Sequence, residues 1–340
     1  MTIVQSNYFI KKTSLLNLEE YLCPEIRELI NKIPRDIKNS MEEIRLRINQ
    51  PLMIYASNQD LFINKTGNTS LVETANTYKT TKKDIDTSLQ FISNYSIYSV
   101  EEELKRGYIT VQGGHRVGIV GRVLWENGEV KTMKEFTGLN FRISREKIGV
   151  ASKVLRYLVS DEGEFVNTLI VSPPQCGKTT LLRDIIRNLS NGIPNLNLKG
   201  LKVALVDERS EIGACYQGIP QNDLGIRTDI LDGCPKAQGM MMLIRAMSPE
   251  VIATDEIGRD DDAVAIYEAI LAGIKLITTV HGRSLEDVVK KKVIGGLVED
   301  SVFQRIIILS NREGVGTIDK IINGDTFQDC LCFPIKNKVV

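Results

Sequence analysis

The sequence predicts an α/β protein in two parts, a small α+β domain followed by a larger domain built on a parallel sheet. Three observations carry this. From about Gly163 onward, short runs rich in β-branched residues alternate with segments of helical period, the pattern of a parallel sheet buried on both faces. One of these runs, "TLIVS" (168–172), passes through a short Pro- and Gly-containing loop straight into a helical segment. The first half instead holds short strands bounded by turn residues around one helical stretch. The expected division is 1–148 for the α+β domain, 149–164 for a linker and 165–340 for the parallel-sheet domain.

In the first half, "EEIRLRI", "PLMIYA" and "DLFIN" (42–64) read as strands, with turns at Asn49-Gln50-Pro51 and Asn58-Gln59. A helix is expected within 80–96, with a Thr start, early acidic residues and Ile85, Leu89 and Ile92 on one face. "YITVQGGHRVGIVGRVLWENGEVK" (108–131) reads as an antiparallel meander turning at Gly113-Gly114 and Asn127-Gly128. A docking helix is expected within 145–165. In the second half, strands are expected at 168–172, 202–207, 251–256 and 275–280, with helices over 178–189, 235–248 and 260–273. A closing hairpin is expected from 305–310 and 316–322. The loop at 214–235 has little regular patterning, and a connector of that length inside a compact domain is usually functional.

Composition narrows the function classes. Lys+Arg and Asp+Glu are both 43, so no global field pulls the chain toward nucleic acid or an anionic membrane. None of the six cysteines stands in a C-x-x-C pair, which argues against a zinc site and against a disulfide framework. The N-terminal stretch lacks the apolar core of a signal peptide, and no window has the roughly 18 uncharged apolar residues of a membrane helix. A cytoplasmic location is the expectation.

The loop "SPPQCGKTT" has the chemistry of a phosphate cradle. In such a loop, backbone N–H groups wrap the phosphates, the lysine neutralises β/γ charge and the next hydroxyl ligates magnesium. Here Ser172, Pro173, Pro174, Gln175, Cys176, Gly177, Lys178, Thr179 and Thr180 would hold ATP. Ser172 stands where glycine is usual, and the two prolines offer a rigid turn by another route. A second feature fits the first. The strand "VIAT" runs into Asp255-Glu256, where a magnesium-binding aspartate and a water-orienting glutamate belong. Thr179 and Asp255 are therefore the expected metal residues, and Mg²⁺ the expected ion. Another acidic strand end, "VALVDERSE", carries Asp207, Glu208, Arg209 and Glu211, either as a second contributor to water activation or as a capping and salt-bridge cluster. His281, in "TTVHG", either contacts the γ-phosphate as a neutral imidazole or has no such role. His115 is expected to be a turn residue.

The order of these four strand-end elements resembles the secretion ATPase family of bacterial type II and type IV systems, with its Walker A, Asp, Walker B and His boxes. Within it the likeness is to its sporulation branch in endospore-forming Firmicutes. It rests on the run "VDERSEIGACYQGIPQNDLGIRTDILDGCPKAQGMMMLIRAMSPEVIATDEIGR" (206–259) with "SPPQCGKTTLLRD", and in the first half on "EEIRLRINQPLMI" and "GGHRVGIVGR". The resemblance implies a RecA-like P-loop ATPase domain and a homo-oligomeric, hexameric ring on the cytoplasmic side of membrane partners. It further implies a mother-cell ATPase that powers or supports an export channel to the forespore. The Asp-Glu pair departs from the family's usual Gly-Glu, so Glu256 and Glu208 both remain candidates for the base. Arginines from the first domain or another subunit would complete the site, drawn from Arg116, Arg122, Arg142 and Arg145, with Arg142 and Arg145 foremost. Two other readings stay open: a nucleotide-gated scaffold of very slow turnover, and a nucleic-acid-stimulated ATPase. Neutral charge and the lack of an aromatic–basic stretch count against the last, so no nucleic-acid partner is expected.

Overall fold

The computed structural model describes residues 9–11 and 18–332. Most of the N-terminal stretch read above for a signal peptide lies outside the described residues. The chain divides into two compact units, one of residues 12–145 and one of 146–340 joined by the first strand. That strand, β1 (Phe9–Lys11), belongs to the second unit. Among the described residues no helix is long and apolar enough to cross a membrane.

The first unit carries α1 (Pro24–Lys32) and α2 (Arg35–Ser40), then β2 (Met41–Arg47), β3 (Met53–Ala56), β4 (Gln59–Ile63) and β5 (Thr69–Ser70). Next come α3 (Lys82–Ile92), α4 (Glu101–Arg106), β6 (Tyr108–Val111), β7 (His115–Glu126) and β8 (Glu129–Arg142). The strands form one seven-stranded antiparallel sheet in the order β5-β4-β3-β2-β8-β7-β6. Helix α3 starts where its sequence signals place it: Thr81 accepts from the Asp84 N–H, and the Asp84 carboxylate accepts from the Thr81 N–H. Ile85, Leu89 and Ile92 then face the core with Ile44, Ile54 and Phe141. The β7–β8 hairpin turns at Asn127-Gly128, both at positive φ (53° and 82°), as a tight hairpin turn requires. It outruns its neighbours, since β2 pairs only with residues 138–142 of β8 and β6 only with residues 115–118 of β7.

The second unit contains β9 (Glu146–Ile148), paired with β1, then α5 (Leu155–Leu158), β10 (Thr168–Ser172), α6 (Lys178–Asn191), β11 (Val203–Asp207) and β12 (Thr228–Asp232). It continues with α7 (Lys236–Met247), β13 (Val251–Thr254), α8 (Asp260–Leu271), β14 (Lys275–His281), α9 (Leu285–Val289), α10 (Lys292–Glu299), β15 (Arg305–Ser310) and β16 (Thr317–Asn323). The sheet order is β12-β11-β13-β14-β10-β15-β16, parallel throughout except for β16. The two-residue period of each strand divides its side chains between two cores. Ile170, Leu205 and Ile277 pack with Leu182, Ile185 and Ile186 of α6. Leu169, Val171, Val206 and Ile252 pack with Met240 of α7 and Ile266 of α8.

This is the α/β architecture the alternation predicts, a parallel-sheet domain with a small α+β domain, and it agrees with the RecA-like fold that the resemblance implies. The closing hairpin is present as β15–β16. Two segments differ from expectation. Within 145–165 the chain forms β9, a 3₁₀ turn and α5, so the helix expected there is present as a single turn, with Leu155, Tyr157 and Leu158 buried. The loop at 214–235 contains the edge strand β12, whose "TDILD" lacks a continuous apolar run because the edge of the sheet is half-exposed.

Candidate nucleotide site

Parallel pairing brings the C-terminal ends of β11, β13, β14, β10 and β15 to one edge of the sheet, where ligands of open α/β sheets bind. The loop after β10 solves its missing glycine simply. Ser172 is still strand, in register with His281, fully buried, and its hydroxyl donates to the Pro173 carbonyl at 2.7 Å. The left-handed conformations fall later, at Gln175 (φ 61°) and Gly177 (φ 86°). Position 172 therefore makes no demand that only glycine could meet.

Lys178 opens α6 with its side chain only 7% exposed. Its ammonium donates to Glu256 Oε1 at 2.7 Å and lies 3.7 Å from Asp255 Oδ1. Thr179 Oγ1 donates to Asp255 Oδ2 at 3.1 Å. Thr279 on β14 donates to the other Asp255 oxygen and accepts from the Glu256 N–H at 3.0 Å. Glu256 sits at φ 48°, a strained conformation for a side-chain-bearing residue, on the turn just past β13. His281 Nε2 lies 2.5 Å from Glu256 Oε1 and Arg209 lies 3.5 Å from Oε2. Burial alone would push the Glu256 carboxyl up, but Lys178, His281 and Arg209 outweigh it and hold it below the usual carboxylate range.

The second acidic strand end is built differently. Asp207 is buried and accepts from the N–H groups of Glu211, Ile212 and Gly213 at 2.8–2.9 Å, so it anchors the loop that follows β11. Burial raises its pKa against the pull of those three bonds. Glu208 is ion-paired with Lys236 at the start of α7. Glu208, Asp255 and Glu256 nonetheless share the wall of a cavity of about 20 Å³, room for roughly one water. A larger cavity of about 410 Å³ lies on the other flank of Glu256, lined by Ile257, His281, Lys291 and Lys292.

The structure thus brings Lys178, Thr179, Asp255, Glu256 and His281 into one connected cluster. Arg142 and Arg145 lie in the first unit, where Arg142 is 3.8 Å from Glu43 and Arg145 donates to the Met41 carbonyl at 2.8 Å. The sequence reading missed Thr279, which orients both acidic residues, and Lys236, which engages Glu208. Thr279 was visible as the second threonine of "TTVHG", facing the end of the neighbouring acidic strand. A hydroxyl beside a carboxylate at a strand end is the donor set Mg²⁺ takes, so Thr179 and Asp255 fit the ion their motif implies.

Comparison with known proteins places the chain in a family and matches its fold to solved structures. A family model described as sporulation stage III, protein AA, matches residues 11–327. Stage III sporulation protein AA of Bacillus subtilis (strain 168) is 43% identical over 308 residues, covering 91% of this chain and 95% of that protein. Among solved structures, the ATPase DotB of Legionella pneumophila superposes with a TM-score of 0.50 at 15% identity, over 79% of this chain and 72% of that one. The pilus retraction motor PilT with bound ADP gives 0.53 at 14% identity, over 81% and 75%. At these identities the two structures establish the shared fold. The sequence match goes further: this chain belongs to the stage III sporulation protein AA family.

Proposed function

We propose that this chain binds ATP with Mg²⁺ and hydrolyses it, and that turnover powers or supports an export channel between mother cell and forespore. The observation that supports this best is the cluster of Lys178, Thr179, Asp255, Glu256 and His281 at the sheet edge. Phosphoryl transfer asks a protein mainly for positioning and charge neutralisation, and each residue supplies one part. The loop amides and Lys178 receive the β- and γ-phosphates. A γ-phosphate competes with Glu256 for the Lys178 ammonium, so binding releases the Glu256 carboxylate toward the one-water cavity beside it. Thr179 and Asp255 would hold the magnesium ion, which would supply charge neutralisation at the phosphate oxygens. Glu256, kept anionic by its neighbours, accepts the water's proton. His281 senses the γ-phosphate. Glu208, occupied by Lys236, supports the same cavity wall from the side.

The wider role rests on the family and on the shared fold with DotB and PilT. It includes a homo-oligomeric ring, which the concentration dependence of turnover tests, membrane proteins of the sporulation channel as partners, the mother-cell cytoplasm as location, and Arg142 or Arg145 completing a site.

The deciding experiment is phosphate release from ATP against protein concentration, with Lys178→Ala as the blank. Specific activity that rises with concentration supports sites completed across subunits. ATP binding with no turnover at any concentration would replace the motor by a nucleotide-gated scaffold.

A further inference from the structure

The sheet order places the residues assigned to the terminal phosphate on one flank of the phosphate loop. In the sequence β13, β14, β10, β15, β16 across the sheet, Asp255 and Glu256 follow β13, His281 ends β14, and the phosphate loop follows β10. On the proposed reading, which this inference deepens, the terminal phosphate lies on the β13–β14 flank of the loop. A triphosphate is a linear chain, so its other end, with ribose and base, extends from the opposite flank toward β15 and β16.

That flank is built up. Strand β15 is parallel to β10, so its last residue, Ser310, reaches the same sheet edge, and the turn into β16 rises beside the loop. Two observations place the turn against it. The Gly316 N–H donates to the Cys176 carbonyl at 3.1 Å. A Cβ added to Gly177 would lie 3.2 Å from Val315 Cγ1 and 3.5 Å from the Gly316 Cα. The turn also holds itself: the Thr317 hydroxyl donates to the Gly314 carbonyl at 2.7 Å and accepts from the Glu313 N–H at 3.3 Å. On this braced turn Val315 is 66% exposed, an apolar side chain shown to water at the rim of a phosphate loop. Arg312 is similarly exposed, 3.8 Å from Asp319.

We propose that the 312–316 turn is the wall that receives the base and ribose, with Val315 against the flat face of the base and the Arg312 guanidinium over its π-surface. The ligand class is a nucleoside triphosphate recognised through a base face. Binding then depends on having a base and little on which base it is.

The test measures binding of ATP, GTP and inorganic tripolyphosphate by calorimetry to the wild-type chain, Val315→Ser and Arg312→Ala. Both side chains are exposed, so the variants should fold. Removing the methyl groups of Val315 from the contact should weaken ATP and GTP alike by about three- to tenfold and leave tripolyphosphate unchanged. Arg312→Ala should lower ATP and GTP affinity together. Equal weakening of tripolyphosphate by Val315→Ser would overturn the inference, since the turn would then act by shaping the loop through Cys176. Unchanged ATP affinity in both variants, with normal wild-type binding, would overturn it alone. A wild-type chain that binds tripolyphosphate but not ATP would overturn it together with the ATPase reading.

Discussion

Glu256 and Glu208 are separated by what holds them. Glu256 is turned back by a strained backbone onto Lys178 and His281, whereas Glu208 is committed to Lys236. Glu256→Gln should therefore lower turnover by about 10²-fold or more, the usual weight of a general base, while ATP still binds. Glu208→Gln should cost roughly tenfold or less. Parallel turnover and binding assays on the two variants decide this, and a larger loss from Glu208→Gln would exchange their roles. At this scale the sequence was legible where chemistry dictates spacing. Lys178, Thr179 and Asp255-Glu256 were readable because a strand end and a helix start place them together. Lys236 was not, because its partner Glu208 arrives from a different strand–helix unit and nothing local to "PKAQG" marks it.

Between elements, His115 ties the β6–β7 turn to the chain just past β8. It is fully buried, its Nδ1 accepts from the Ser144 N–H at 3.0 Å, and its Nε2 has no hydrogen-bond partner. Burial holds its pKa down at about 4. Below pH 6.5 the unfolded imidazole binds a proton that the folded one refuses, so stability falls as pH drops from about 6.5 to about 4. The loss is on the order of 3 kcal/mol. His115→Phe cannot titrate; it should be less stable than wild type at pH 7.5 by about 1 kcal/mol, for the lost hydrogen bond between the Ser144 N–H and Nδ1, and the gap should close toward pH 4. Urea midpoints of both proteins across this range test it, and parallel curves would remove the burial argument. The sequence marked His115 as a turn residue from its two glycines. It is buried, and its hydrogen-bond donor Ser144 lies 29 residues away, which no local pattern carries. The same limit explains β12, an edge strand whose half-exposed side chains mimic a loop.

At the scale of the whole chain, each unit owns a separate core, Ile44, Ile54 and Phe141 in the first and the two faces of the parallel sheet in the second. The alternation of strands and helices made the second sheet readable, while the first unit's strand order required pairings between distant segments, as of β2 with β8. Ligand binding should respect this division. ATP at 100 times its dissociation constant stabilises the state that binds it by about 2.7 kcal/mol, and every residue assigned to phosphate and magnesium belongs to the second unit. Hydrogen exchange should therefore slow on addition of ATP and Mg²⁺ in β10, β13 and β14, and Lys178→Ala should abolish the effect. The first unit supplies the contrast. If Arg142 or Arg145 completes the site, the end of β8 and the 143–145 segment should also gain protection, and Arg142→Ala or Arg145→Ala should remove that gain while sparing β10. Protection confined to the second unit, with turnover intact in both arginine variants, would take these arginines out of the mechanism and leave them as partners of Glu43 and Met41.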